Sequence, residues 1–411
     1  MKRNDYIILA SITIVILLML VIRGVNNNIT GKYAKITESG VTIGIYPLNT
    51  DTSIELDGNT ISISGGKVTM ADADCPDRLC MKQQSVSKLG EAIVCLPNKV
   101  VVEITDDVTP LSKTDFYFDT VVSVTLYDCT DSSVLDGVFD ICRQYENICS
   151  RTSHDSELYK LNNRLLPTLS NDNTCYLISR ELYSMIEAGL RYGEISGGSF
   201  DISIAPVSSL WDFKSDEASI PDNKLLADAL PHVSYQGIHL HPDCSISFDD
   251  NKAMIDLGGL AKGYIADIIR EYLLQNNVHS ATVALGGNII CIGDKLGEPF
   301  MIGIQKPFDM QGNAITTVEE CDKSVVTSGI YERYFEKDGT LYHHLLNPTT
   351  GYPIDNDLAS VTVISDSSLD GDCLSTYLFS LGLDKGLEYA KAHDDIEVIF
   401  VDKDNKIHTA R

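Results

Sequence analysis

From residue 29 onward the apolar residues fall in short alternating runs. Val41, Ile43 and Ile45 alternate with Thr42, Gly44 and Tyr46; Ile61 and Ile63 alternate with serines; residues 100–104 form a β-branched run. A period of two marks strands, and Asp57-Gly58-Asn59 and Gly65-Gly66 are turn signals between them. A small β domain is therefore expected over residues 29–110, ending in an aperiodic linker at 105–112. A strand is expected at 116–127 and a helix at 132–150, with Val134, Leu135, Val138, Phe139, Ile141 and Cys142 on one face. Further helices are expected at 175–192, capped by Asn173 or Thr174, at 262–274 and at 371–381. Short strands are expected to end at 253–256 and to lie at 283–285, 289–292 and 361–364. Helices and strands do not repeat cleanly, so residues 115–411 read as one large α+β domain. Ahead of both domains, residues 6–22 carry no charge and follow Lys2 and Arg3. That run is just long enough to cross a bilayer, and its basic flank favours a cytoplasmic start. The expectation is a membrane anchor at residues 1–23, crossing once, with everything after it outside the cytoplasm. A cleaved signal peptide is the alternative.

The formal net charge of −26 changes what the chain can bind. Such a surface repels phosphate backbones, which argues against nucleic acid as a partner. An anionic nucleotide would need a local cation or backbone donors. The cysteine count is eleven. The odd number leaves at least one unpaired in a monomer, and the irregular spacing from Cys129 to Cys373 reads as buried free thiols. Cys75, Cys80 and Cys95 sit in a denser setting, Asp72 to Cys80 and then Ile93 to Pro97. Asp and Cys can both ligate metal, but Cys-x4-Cys is not the usual zinc spacing. A disulfide between two of the three, or plain packing, is the preferred reading over a metal site.

Four segments carry candidate chemistry. Asp256-Leu257-Gly258-Gly259-Leu260-Ala261-Lys262 opens a helix; free amides and a lysine there suit a phosphate, though a tight turn explains the glycines too. Leu285-Gly286-Gly287-Asn288 is a second double glycine, beside buried strands; a bulge is the plain alternative. Ser328-Gly329 and the pair His343-His344 lie in a polar, aromatic, Gly/Pro-rich stretch of the kind that lines sites. Adjacent residues of an extended chain point to opposite sides, so one histidine at most faces a site. Asp372 and Thr376 are four apart on a helix and offer two hard oxygens suited to magnesium. Alternatively Asp370 or Asp372 merely caps that helix.

Taken in order, these segments resemble the ApbE-type FAD:protein FMN transferases. The likeness extends to Tyr145-Glu146 with Ser150-Arg151, to Ser156-Glu157 with Leu161-Asn162, and to Gly198, Phe200, Asp201 and Pro206. The resemblance implies an α+β enzyme that moves FMN from FAD to a threonine or serine hydroxyl, releases AMP and requires magnesium. It implies Asp372, Thr376 and a carbonyl placed at Gly259 as magnesium ligands, and His344 as base. It also implies Asp256, Lys262, Asn288, Ser328 and Gly329 as FAD contacts. The implied acceptor is an exported or membrane flavoprotein bearing Asp-x-x-Ser/Thr-Gly-Ala-Ser/Thr, in a membrane electron-transfer system. This chain lacks that motif, which places the acceptor in trans. Cys373 stands where the family more often has alanine, Asn347 where it has aspartate, and Ala205 and Val207 loosen a usual Val-Gly-Pro-Leu run. Cys75-Pro76-Asp77 with Cys80, and Ile93-Val94-Cys95-Leu96-Pro97-Asn98, resemble NusG domain II, which implies no activity of its own. Competing readings are an FAD pyrophosphatase, a non-enzymatic flavin module and a structural surface protein.

Overall fold

The computed structural model describes residues 29–106, 108–169, 175–213 and 218–410. The expected membrane helix is not found. Among the described residues no helix is long and apolar enough to cross a membrane. Residues 1–28, on which that expectation rested, lie outside the described residues. The fold class is α+β with a small β domain in front, and no transmembrane helix is found among the described residues. The expected single-pass membrane location with an extracytoplasmic catalytic domain is left without support, since no spanning helix is found among the described residues.

The small domain consists of two antiparallel sheets. One runs β2 (Val41–Pro47), β1 (Tyr33–Glu38), β7 (Val100–Thr105), β6 (Ala92–Cys95); the other runs β3 (Thr52–Leu56), β4 (Asn59–Ser64), β5 (Lys67–Ala73). Alternation places Ile36, Ile61, Ile63, Val68, Val100, Val102 and Ile104 inside, each at most 1% exposed. The core of this domain is separate from that of the larger one.

The large domain is organised on an eight-stranded sheet, all of its neighbours antiparallel: β22 (Ile407–Ala410), β21 (Glu397–Asp402), β20 (Leu358–Ser365), β17 (Ser324–Gly329), β14 (Asn288–Gly293), β13 (Ser280–Leu285), β9 (Thr120–Leu126), β8 (Leu111–Tyr117). The expected single strand at 116–127 is a hairpin instead, whose first strand begins at Leu111, at the end of the expected linker. Its two-residue turn is Phe118-Asp119, with φ of 55° and 59°, the mirror-image turn that suits strand twist. No glycine marks it; the Glu146 carboxylate accepts the Phe118 N–H at 2.9 Å. On one face of the sheet lie α1 (Ser132–Cys149), α6 (Ala261–Gln275), α7 (Ser368–Leu381) and α8 (Leu383–Lys391). Hairpin β15 (Phe300–Gln305) and β16 (Ala314–Glu320) covers part of the other face, over Cys291, Val325, Ile364 and Ile399. This double covering leaves every residue of β20 buried. The remaining elements are α2 (Glu157–Asn162), α3 (Arg180–Ile195), α4 (Ala205–Ser208), α5 (Asn223–Ala229), a sheet of β10 (Cys175–Leu177), β12 (Ser245–Phe248) and β11 (Ile238–His241), and hairpin β18 (Tyr334–Lys337) with β19 (Thr340–His343). The expected helix at 175–192 thus starts later: Cys175–Leu177 pairs with β12, and Ser179 caps α3 through the Leu182 N–H. The residues first named as its cap, Asn173 and Thr174, lie outside the described residues.

The crossing of α6 and α7 is close. A Cβ on Gly263 would lie 2.3 Å from the Ser368 carbonyl oxygen. Asp267 of α6 fixes the crossing, its carboxylate accepting the N–H groups of Ser368 (2.9 Å) and Leu369 (3.0 Å) at the positive end of α7. Gly263→Ala is expected to destabilise the fold by about 1–3 kcal/mol, because backbone must move to admit the methyl group. Urea denaturation measures this; an unchanged midpoint would mean that the crossing is loose.

Candidate active site

The site gathers at the start of α6, along one face of α7, and at the end of β17. Asp372 lies in the first half of α7 and is not its cap; Ser367 is, accepting from the Asp370 N–H at 3.1 Å. Asp370 turns away to Arg191 (3.0 Å) and the Tyr192 hydroxyl (2.6 Å). Asp372 is 5% exposed and points at the α6 N-terminus, where its Oδ2 accepts the Gly263 N–H at 2.9 Å. Lys262 Nζ stands 4.0 Å from that oxygen and donates to the Gly258 carbonyl at 3.2 Å. Burial raises the Asp372 pKa, opposed by Lys262 and the Gly263 N–H. A desolvated carboxylate with so few partners strongly favours a cation beside it.

One turn further on, Thr376 Oγ1 lies 3.2 Å from Ser328 Oγ, which also bonds Ser375 Oγ at 2.8 Å. A carboxylate, a hydroxyl and a Gly-Gly carbonyl are the hard oxygens that magnesium takes, and Lys262 already bridges two of them as a cation would. The carbonyl that Lys262 meets is that of Gly258, next to the expected Gly259. Gly329 is buried beside Ser328, with the Tyr331 ring against its Cα. Gly286, at φ 67°, makes the turn before Asn288, and the Gly287 carbonyl accepts the Thr327 N–H at 2.9 Å. Asn288 is fully buried: its Oδ1 accepts from Ser368 Oγ at 2.8 Å, and its Nδ2 has no partner among the described residues.

The loop from Asp256 to Gly259 is braced from below. Asp256 accepts from the Gly258 N–H (2.9 Å) and Ser208 Oγ (2.9 Å) and pairs with Arg151 at 3.3 Å. Asn162 holds both backbone groups of Ile255, at 2.7 and 2.8 Å, and the Phe200 ring packs under Gly259. The sequence pattern brought Arg151, Asn162 and Phe200 forward without saying why; they are props.

The two histidines part as alternation requires. His343 is buried, with Nε2 on the Ile354 carbonyl at 3.1 Å and Nδ1 unpartnered among the described residues; burial pushes its pKa down to about 4. His344 is partly open, its Nδ1 3.4 Å from the Arg333 carbonyl, the tautomer that leaves Nε2 as acceptor. Desolvation, then Arg333 and His343, push it down to about 3, with Lys262 adding to the effect. It is neutral at pH 7 and able to take a proton. Sequence reasoning missed an aromatic wall on the same hairpin. Trp211 stacks with Phe213 (5.5 Å, 3°) and Tyr342 (5.9 Å, 29°), and Phe335 stacks with Tyr342 (5.3 Å, 17°). Trp211 is the only tryptophan, the one signal that pointed there. Such a wall suits a flat ring.

A helix-mouth lysine, a buried carboxylate and a neutral histidine set on an antiparallel sheet are groups that suit an α+β enzyme acting on anionic phosphates. The ApbE family model matches residues 118–400, and this chain belongs to that family. The NusG domain II model matches residues 7–107, a span that takes in residues 7–23 of the stretch first read as an anchor. An FAD:protein FMN transferase of Klebsiella pneumoniae is 36% identical over 278 residues, 67% of this chain and 84% of that protein. One of Treponema pallidum is 32% identical, over 68% of this chain and 79% of that protein. The crystal structure of the ApbE protein of Thermotoga maritima aligns with TM-score 0.66 at 27% identity, covering 74% of this chain and 97% of that one. The flavinyl transferase ApbE of Pseudomonas stutzeri aligns at 0.64 and 28%, covering 74% and 95%.

The depressed His343 pKa has a definite sign in stability. Unfolded, its pKa is about 6.5. Below that pH the unfolded chain takes up the proton first, so stability falls from about pH 6.5 toward 4. The stability difference between wild type and His343→Gln is expected to shrink over that window by on the order of 3 kcal/mol. Denaturant titrations at stepped pH measure it; a difference independent of pH would show that the imidazole is not held neutral.

Proposed function

We propose that this chain transfers FMN from FAD to a threonine or serine hydroxyl of another protein, with magnesium, releasing AMP. What carries the reading is the approach of Lys262, the Gly258 carbonyl and the buried Asp372, flanked by Ser328 and Thr376, in a chain of this family. Asp372, Thr376 and a carbonyl of the 258–259 turn would hold the magnesium, which when bound neutralises the pyrophosphate and the departing AMP. Lys262 and the backbone amides at the mouth of α6 face the phosphate oxygens and replace their water. Asp256, Ser328 and Gly329 shape the flavin nucleotide cleft; Asn288 supports it from beneath.

His344 takes the proton of the acceptor hydroxyl as that oxygen bonds the phosphorus on the flavin side. The bond from this phosphorus to the bridging oxygen breaks, and AMP leaves with the electron pair. A pKa near 3 makes a weak base in the free protein. The negative pyrophosphate offsets Arg333 and Lys262 and raises it toward the useful range. The acceptor is a flavoprotein bearing Asp-x-x-Ser/Thr-Gly-Ala-Ser/Thr.

The test mixes the full chain with FAD, magnesium and a protein carrying an Asp-x-x-Thr-Gly-Ala-Thr tag. Flavin fluorescence on the tagged band of a denaturing gel, lost with chelator and with Thr→Ala at the last tag position, is the expected result. Free FMN and AMP without a labelled band would make the protein a pyrophosphatase; intact bound FAD would make it a flavin carrier. His344→Ala is expected to lower transfer by roughly 100-fold or more while FAD affinity holds. Wild-type rates in that variant would remove His344 from the chemistry.

A further inference from the structure

The small domain holds a second cluster that flavin transfer does not use. Cys75 follows β5, Cys80 opens a 3-10 turn at Cys80–Lys82, and Cys95 ends β6, so three separate pieces of chain bring a thiol to one place. The three sulfurs lie within 4.8 Å of one another, with Cys75 and Cys80 3.5 Å apart, and each residue is at most 4% exposed. Thiolates bound to one metal at about 2.3 Å stand roughly 3.8–4.0 Å from each other in tetrahedral or trigonal geometry. The Cys75–Cys80 separation lies just below that range, and no other pair is more than 4.8 Å apart.

Plain apolar packing would not explain the polar groups around the sulfurs. Asn59 is 3% exposed inside a hydrophobic core. Its Nδ2 lies 3.2 Å from the Met70 sulfur. Asn98 in turn donates to Asn59 Oδ1 at 2.8 Å and to the Gly58 carbonyl at 2.9 Å, which fixes both amides. Leu79 and Leu96, beside two of the cysteines in sequence, are 62% and 81% exposed, so the cluster sits just under the surface and an ion can reach it.

We propose that Cys75, Cys80 and Cys95 form a tri-thiolate site for one soft metal ion of the zinc or cuprous-copper class. All-sulfur ligation excludes magnesium and separates this site from the hard oxygens around Asp372. Each thiol releases its proton to solvent on binding. Cuprous copper is satisfied by three sulfurs, whereas zinc completes its shell with water or an exogenous ligand.

The test uses the full chain, purified without oxygen and with excess magnesium present, titrated with Zn2+ or with Cu+ against a competing chelator. One equivalent per chain is expected, and whichever ion is taken up names the class. X-ray absorption of the loaded wild type should show three sulfur neighbours, at about 2.3 Å for zinc. Cys80→Ser and Cys95→Ser should each weaken binding beyond the roughly 10–100-fold that an outer-shell loss costs, leaving flavin transfer unchanged. A shell of oxygen and nitrogen alone, unaltered affinity in both variants, or uptake of neither ion would overturn the proposal. The wild-type absorption measurement stands even if a variant does not fold.

Discussion

The large domain depends on one buried charge, the Asp372 carboxylate between two helices. Water cannot reach it freely, so the fold must supply its partners. The Gly263 N–H is one and the Lys262 ammonium another, both from the first turn of α6. That turn reaches Asp372 only because Gly263 lets α6 lie against the Ser368 carbonyl. Asp267, one turn along α6, then ties the start of α7 in place. Gly371 repeats the device on the other side of α7, where a Cβ would meet the Val326 side chain 2.8 Å away. Small residues and a capping carboxylate thus set where the charge sits relative to the end of β17.

The same constraint answers the problem posed by net charge. A chain at −26 repels a dinucleotide almost everywhere. The helix mouth beside Lys262 is where amides and a cation oppose that field. The proposed magnesium binding extends this logic, since a carboxylate that burial makes uncomfortable gains most from a divalent partner. The departures from the family pattern respect it. Asn347 makes the turn that an aspartate would make, accepting the Thr349 N–H at 2.8 Å, and Cys373 is wholly buried on the core side of α7.

The double glycines, the histidine pair and Asp372 with Thr376 were legible in the sequence because each depends on spacing within a few residues. Helices α1, α6 and α7 were legible for the same reason, from local apolar spacing; Asp131 caps α1 and Ser367 caps α7, whereas α6 has no side-chain cap. What required distant partners was not. Cys175–Leu177 looks like the start of a helix until Ser245–Phe248 pairs with it, 70 positions away. The Phe118-Asp119 turn carries no glycine, so its hairpin read as a single strand. The aromatic wall joins Trp211 and Phe213 to residues of a hairpin more than a hundred positions later. The approach of Cys95 to Cys75 and Cys80 likewise follows from the packing of β5 and β6, strands of different sheets, against the 3-10 turn at Cys80–Lys82, and not from motif spacing.

The most direct measurement is calorimetric titration of the full chain with FAD, with and without magnesium, in wild type and in Asp372→Asn. If the buried carboxylate is what makes this acidic protein accept a pyrophosphate, magnesium should tighten FAD binding by about tenfold or more in wild type. It should have little effect in the variant. An FAD affinity indifferent to magnesium in wild type, or an equal magnesium effect in both proteins, would contradict the central role given to Asp372.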